Sequence, residues 1–215
     1  MSQPIGIFGG TFDPIHIGHL RTALELFSIV DFKEIRFMPC YEPVHKTKPL
    51  ASPADRFAMV KLATADIGPF IADDTEIIRG GPSYMVDTLA TLRKKFTHDP
   101  LCLIVGIDAF AHFHTWHRYE DILSLSHIVI ADRPPYALNK TDMAAALQAD
   151  HETFDPLLLH QTYSGKIYRV RVTPLDISAT KIRQIIAQGS DPKYLIPEQV
   201  TQYIQQHGVY TSARL

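Results

Sequence analysis

The run Gly9-Gly10-Thr11-Phe12-Asp13-Pro14-Ile15-His16-Ile17-Gly18-His19 carries the residue types that a phosphate site needs. Glycines let the backbone approach an anion closely, and a helix N-terminus near Gly18 offers N–H groups to it. His16 and His19 are three apart and share one face of that first helical turn. The run is neither G-x-G-x-x-G nor G-x-x-x-x-G-K-[ST], so dinucleotide hydride transfer and P-loop hydrolysis lose their main support. A second candidate anion site is Ile177-Ser178-Ala179-Thr180-Lys181-Ile182-Arg183. Ser178 caps a helix there, and Arg183, just over one turn in, brings a guanidinium that can grip phosphate oxygens. Taken singly, each segment also has a plain reading: a tight turn with a packed histidine, or a capped helix worth about 1 kcal/mol with a surface arginine.

Further candidates stand between these two. Pro82-Ser83-Tyr84-Met85-Val86-Asp87-Thr88-Leu89 opens a helix, and Leu103-Ile104-Val105-Gly106-Ile107-Asp108 ends an apolar run. Trp116, the sole tryptophan, has a face large enough to stack an aromatic ring, or to serve as a core aromatic. Asp108 can meet a ligand hydroxyl or cap a helix; Arg133 can complement phosphate or pair with an acid. Lys46 lies in a long loop beside Lys48. His112, His114 and His117 crowd one stretch and raise a metal-site rival, but no H-E-x-x-H is present and no acid stands at a familiar zinc spacing.

These residues need elements to position them. Pro4–Phe8 reads as a strand ended by glycines, followed by helical spacing at Leu20, Ala23, Leu24 and Phe27. Glu34–Met38 is a second strand, and the proline-bearing stretch Pro39–Leu50 is a loop of the length that often carries function. Ser52-Pro53-Ala54-Asp55 starts a helix that runs to about Asp66. Phe70–Ile78 carries a third strand, broken by Gly80-Gly81-Pro82, and Met85, Leu89, Leu92 and Phe96 mark the next helix. Leu101–Val105 and Ile128–Ala131 are unbroken apolar runs, as in parallel strands covered on both faces. Tyr119–Leu125 and Thr141–Ala149 read as helices, and Lys166–Val172 as the last strand. Two terminal helices follow, one carrying Ile182, Ile185 and Ile186 and one carrying Val200, Tyr203, Ile204 and His207 on one face. The sum is an α/β, doubly wound (Rossmann-like) parallel sheet with a C-terminal helical cap, 177–215, on a single domain spanning 1–215. Such sheets bind ligands outside the carboxyl ends of their strands, where the candidate residues fall.

The chain has 215 residues, 46% of them hydrophobic, and its 21 Lys and Arg against 23 Asp and Glu leave a formal charge of −2. That composition suits a folded globular protein, and it leaves no broad basic surface for a nucleic-acid partner. Two cysteines, Cys40 and Cys102, cannot build a disulfide framework and fit a reducing, cytoplasmic setting. No basic segment followed by a long apolar one opens the chain, and no run of about 18 apolar residues occurs, so neither an export signal nor a membrane partner is expected.

Gly9–His19 resembles the signature of the nucleotidyltransferases whose H-x-G-H motif binds the triphosphate of ATP. Ile177–Arg183 resembles their I-S-[STA]-T-x-[IVL]-R motif. Together with Pro43-Val44-His45-Lys46, Pro82–Leu89, Gly106-Ile107-Asp108, Thr115-Trp116-His117 and Arg133-Pro134, in this order, they resemble one branch, the bacterial nicotinate-mononucleotide adenylyltransferases. The likeness covers about residues 4–210. It implies adenylyl transfer from ATP to nicotinate mononucleotide, giving nicotinate adenine dinucleotide and pyrophosphate, with Mg²⁺ held largely by substrate and water. It implies His16, His19, Lys46 and Arg183 as the catalytic set. ATP contacts would come from Gly9, Gly10, Thr11, Phe12, His16, Gly18, His19, Gly106, Asp108, Ile177, Ser178, Thr180 and Arg183. Mononucleotide contacts would come from Asp13, Lys46, Tyr84, Met85, Trp116, His117 and Arg133, with no protein-held metal. One departure stands out: Met85 occupies the position where the branch has Thr, so no side-chain hydroxyl is available there, and its side chain is expected to pack on the Leu89, Leu92 and Phe96 stripe.

Overall fold

The strand predicted from Pro4–Phe8 is β1 (Ile5–Gly10) in the computed structural model, which describes residues 2–44, 48–133 and 143–211. Ile5 and Ile7 are fully buried, and between them Gly6 leaves room that a side chain would take from Ile104 and Ile35, each 3.0 Å from where its Cβ would stand. Among the described residues β1 belongs to a seven-stranded sheet of order β3-β2-β1-β4-β5-β7-β6, built from β2 (Glu34–Pro39), β3 (Phe70–Ala72), β4 (Leu101–Gly106), β5 (His127–Asp132), β6 (Glu152–Thr153) and β7 (Ile167–Arg171). β1 pairs with β4 in parallel, Ile5 opposite Leu101, and β4–β5, β5–β7 and β6–β7 are parallel as well. The strand order reverses between β1 and β4, which is where a doubly wound sheet opens a crevice at its carboxyl edge. The expected fold class is what the chain adopts.

The backbone groups into two compact units, one of Met1–Gly9, Thr22–Arg36 and Tyr84–Pro174, the other of Gly10–Arg21, Phe37–Ser83 and Leu175–Leu215. In the first, β4 and β5 are buried throughout except for Gly106 at the very end of β4, and α4 (Met85–Lys95) packs on α6 (Tyr119–Leu125). Arg93 of α4 staples this unit by donating to four carbonyls, those of Phe96, Asp99, Leu125 and Tyr163. His160 reaches the carbonyl of Val30 at 2.8 Å.

In the second unit α2 (Pro53–Thr64) starts as its sequence dictates, Ser52 Oγ accepting the Asp55 N–H at 3.1 Å, and packs against β3 and α9 (Glu198–His207). Tyr203 of α9 donates to Asp55 Oδ1 at 2.9 Å, and His207 stacks on Tyr203. α8 (Ala179–Ala187) carries the second motif.

Several expectations are corrected. The third strand ends at Ala72, because Asp73 Oδ1 accepts the Thr75 N–H at 2.9 Å and turns the chain into a short helix, α3 (Thr75–Arg79). Ile78, at the end of the stretch expected to carry that strand, is 77% exposed on the helix. In α1 (Ile17–Val30) the buried stripe is Ala23, Leu26 and Val30, so Leu24 points out. The last strand is one residue shorter at each end than expected, and the chain adds β6, α5 (Ile107–Ala111) and two 3₁₀ turns to the expected elements. Of the helix expected over Thr141–Ala149, residues 141–142 lie outside the described residues, and α7 covers Met143–His151. Among the described residues no helix is long and apolar enough to cross a membrane.

Candidate active site

The turn after β1 is shaped by the side chains it must accommodate. Phe12 adopts a positive φ of 48° and its ring folds back over Gly10, where a Cβ would sit 2.9 Å from its edge. The same ring meets His19 edge-on at 5.1 Å. Gly18 is glycine for a similar reason, since a Cβ there would press on the His16 imidazole at 3.0 Å. His16 takes the place of an N-cap: its carbonyl accepts the N–H groups of His19 (2.9 Å) and Leu20 (3.3 Å), while the N–H of Ile17 donates to the Leu195 carbonyl.

The two imidazoles stack, 3.6 Å between centroids and 23° from parallel. His16 is buried and His19 half-buried. His16 N–H donates to His19 Nδ1 at 3.2 Å, so a neutral His19 keeps its proton on Nε2 and presents that nitrogen as a donor. The spacing His-x-Gly-His therefore yields one rigid pair of rings.

Arg183 comes to the same loop from α8. Ser178 caps that helix, accepting the Lys181 N–H at 3.3 Å, and Arg183 donates to the Asp13 carbonyl at 2.7 Å and to Thr180 Oγ1 at 3.3 Å. Its guanidinium also lies 3.6 Å from Asp13 Oδ2. Ile177 packs within reach of Gly18. Asp13, assigned from the resemblance to the mononucleotide, is buried and accepts from Leu50 N (3.0 Å), Ala51 N (3.0 Å) and Tyr210 Oη (2.7 Å). Its visible work is to tie the turn, the loop after β2 and the C-terminal segment together. Burial, reinforced by the Asp13 charge, pushes the Tyr210 hydroxyl well above the ordinary tyrosine range, so it stays a donor.

The first unit holds a separate group of candidates. Tyr84 and His117 lie 4.4 Å apart, and Trp116 is half-buried against Phe113 at 5.3 Å. Gly106 ends β4, and a side chain there would collide with the Asp108 carboxylate, which stands 3.9 Å from Arg133. Met85 does not lie on the buried stripe of α4, which is Val86, Thr88, Leu89 and Leu92; its methyl is held against Gly9, 2.7 Å from where a Cβ would be. Packing is thus retained for Met85, but over the end of β1 and not on the stripe. Lys46 lies outside the described residues. Among the described residues no three His, Cys, Asp or Glu side chains are gathered to hold a metal ion, and His112, His114 and His117 do not form such a group.

Two residues of the site were not found from sequence, Arg56 and Tyr210. Arg56 occupies an apolar-stripe position of α2, with Met59, Val60 and Ala63 at helical spacing after it, and a charge on such a stripe is the signal that marks it. Tyr210 follows the end of α9 and carries no local signal.

A parallel, doubly wound sheet with a histidine-bearing glycine turn after its first strand and an arginine-bearing capped helix bound to that turn is the arrangement that the resemblance to nucleotidyltransferases leads one to expect, and the relatives of this chain carry that class. The family model described as Cytidylyltransferase-like matches residues 7–185. A protein of Methylococcus capsulatus named as a probable nicotinate-nucleotide adenylyltransferase is 44% identical over 96% of this chain and 99% of its own. One of the same name from Aeromonas salmonicida is 41% identical over 98% of each. The nicotinic acid mononucleotide adenylyltransferase of Plasmodium falciparum, solved with NaAD, has the same fold at a TM-score of 0.71 and 18% identity, covering 97% of both chains. This chain belongs to the cytidylyltransferase-like family, and within it to the nicotinate-nucleotide adenylyltransferases.

Proposed function

We propose that this protein transfers the adenylyl group of ATP to nicotinate mononucleotide, forming nicotinate adenine dinucleotide and pyrophosphate in NAD biosynthesis. The observation that carries the reading is that the His16–His19 pair and Arg183 share one frame, each fixed to the loop Asp13–His16. The mononucleotide phosphate is already a nucleophile. Its oxygen attacks the α-phosphorus, the bond from that phosphorus to the bridging oxygen of the β-phosphate breaks, and pyrophosphate leaves with the electron pair. No covalent enzyme intermediate is needed, so the protein contributes alignment and charge stabilisation.

His16 and His19 contact the ATP phosphates, with Nε2 of His19 donating to charge that builds in the transition state. Arg183 takes the β/γ end, and backbone groups of Gly9, Gly10, Thr11, Phe12 and Gly18 follow the phosphates. Gly106, Asp108, Ile177, Ser178 and Thr180 complete the ATP contacts. Lys46 holds the acceptor phosphate. Tyr84, Trp116 and His117 supply aromatic surface for the pyridine ring, the backbone of Met85 its carboxylate partner, and Arg133 a further mononucleotide contact, with Asp13 serving through the turn that it ties. Mg²⁺ enters as part of the MgATP substrate, a hard cation whose ligands are phosphate oxygens and water. The chain serves as one catalytic domain with 177–215 as its cap, and its free cysteines, Cys40 and Cys102, suit a cytoplasmic setting.

Pyrophosphate release from MgATP, measured with nicotinate mononucleotide, nicotinamide mononucleotide or phosphopantetheine as acceptor, tests the reading. Strong preference for nicotinate mononucleotide is expected. Preference for another acceptor keeps the nucleotide site and replaces the substrate; no release with any of them leaves a nucleotide-binding regulator.

A further inference from the structure

Arg56 is the largest fully buried side chain of the protein among the described residues. A guanidinium is expensive to remove from water, and a methionine would fill an apolar stripe position without that cost. Yet among the described residues Arg56 forms no ion pair. Its donors go instead to backbone carbonyls: Nη1 to Thr11 (2.8 Å), Nη2 to Tyr41 (3.1 Å) and Nε to Ala51 (3.4 Å), with Cys40 Sγ 3.7 Å from Nη1. Every carbonyl it holds belongs to a segment bordering the glycine turn or the loop after β2.

The bond to Thr11 has a geometric consequence. In a planar trans peptide the C=O and N–H point opposite ways, so holding the Thr11 carbonyl fixes the direction of the Phe12 N–H. The preceding carbonyl, that of Gly10, is held in the same manner by the Cys40 N–H at 3.0 Å, which fixes the Thr11 N–H. Ala51 extends the network: its carbonyl accepts from Arg56, its N–H donates to Asp13 Oδ1, and the Asp13 carbonyl receives Arg183. One buried cation thus fixes the turn directly and the distant arginine through two further residues.

We infer that Arg56 is a positioning residue for the triphosphate, orienting the Thr11–Phe12 peptide and, through Ala51 and Asp13, Arg183; this rests on the ATP reading of the site. A role confined to fold stability requires neither ligand discrimination nor a link to Arg183. Calorimetric titration of wild type, Arg56→Lys and Arg56→Met with α,β-methylene-ATP and with AMP separates the two, with thermal melting to show which variants are folded. Arg56→Lys keeps the charge but not the planar fork, so it carries the test if Arg56→Met does not fold. The expected result is a loss of about tenfold or more in affinity for the triphosphate analogue with less than about twofold for AMP, the size of one misplaced charge-assisted contact. Folded Arg56→Lys that binds the triphosphate analogue as wild type does, or loses both ligands equally, overturns the inference alone. Wild-type protein that binds no triphosphate analogue overturns the nucleotide reading and this inference with it.

Discussion

His19 is held by two ring contacts, stacked on His16 and T-shaped to Phe12, so on the proposed reading its donor nitrogen is set before substrate arrives. Preorganised donors of this kind act on transition-state charge more than on ground-state binding. His19→Ala should therefore lower kcat by about 10²–10³-fold while weakening ATP binding far less. Steady-state kinetics alongside direct ATP titration reads both quantities, and an unchanged kcat would remove His19 from the catalytic set. Tyr210 offers a test on the other side of the loop. Its hydroxyl donates to the buried Asp13 carboxylate at 2.7 Å, and Tyr210→Phe removes that donor while keeping the ring. A charge-assisted bond of this type is worth about 1.5–3 kcal/mol, so the urea midpoint should fall with an unchanged slope. A variant as stable as wild type would show that Leu50 and Ala51 satisfy Asp13 unaided.

At the scale of elements, β5 is joined to the segment that leads into β7 through a histidine that must stay neutral. Lys166 N–H donates to His127 Nδ1 at 3.1 Å, and His127 Nε2 donates to the Thr162 carbonyl at 2.8 Å. Burial pushes this histidine down to about 4, against the bond to Thr162, which raises it. Between that value and the ordinary value of about 6.5, the unfolded chain takes up a proton that the folded chain refuses. The stability from this site is complete above the unfolded value and is lost as pH falls towards the folded one, by up to about 3 kcal/mol. Urea midpoints measured across that window should drop towards acid, and His127→Gln should flatten the dependence; an equal slope in the variant would assign the loss to other groups. Elements also explain where local pattern and structure part. The stretch Phe70–Ile78 carries the expected strand only as far as Ala72, since the Asp73–Thr75 contact starts a helix, a local hydrogen bond that alternation of apolar residues does not register. Leu24 satisfied the helical spacing of α1, yet Leu26 and Val30 are the buried positions, because two stripes close in phase are separated only by what packs on them.

Across the whole molecule, both thiols are shielded. Cys102 is fully buried in β4, and burial raises its pKa; Cys40 is half-buried, and burial raises its thiol too, with the Arg56 charge pulling the other way. Native protein should thus react with a disulfide reagent at Cys40 only, and slowly, whereas two thiols should react in denaturant. Fast reaction of both in the native state would contradict the burial of β4. By itself the sequence determined the class of fold, since apolar runs, glycine ends and helix caps are local and periodic, and it determined the chemistry of the two motifs, whose residue types and spacing put rings and caps on one helical face. Tertiary structure alone decided that Arg183 and Tyr210 reach Asp13, 170 and 197 residues away, and that Arg56 is buried against the turn. Chain spacing encodes neighbours within a turn of helix or a strand, but which loops meet depends on how the elements pack, and a carbonyl held by a buried guanidinium leaves no periodic trace.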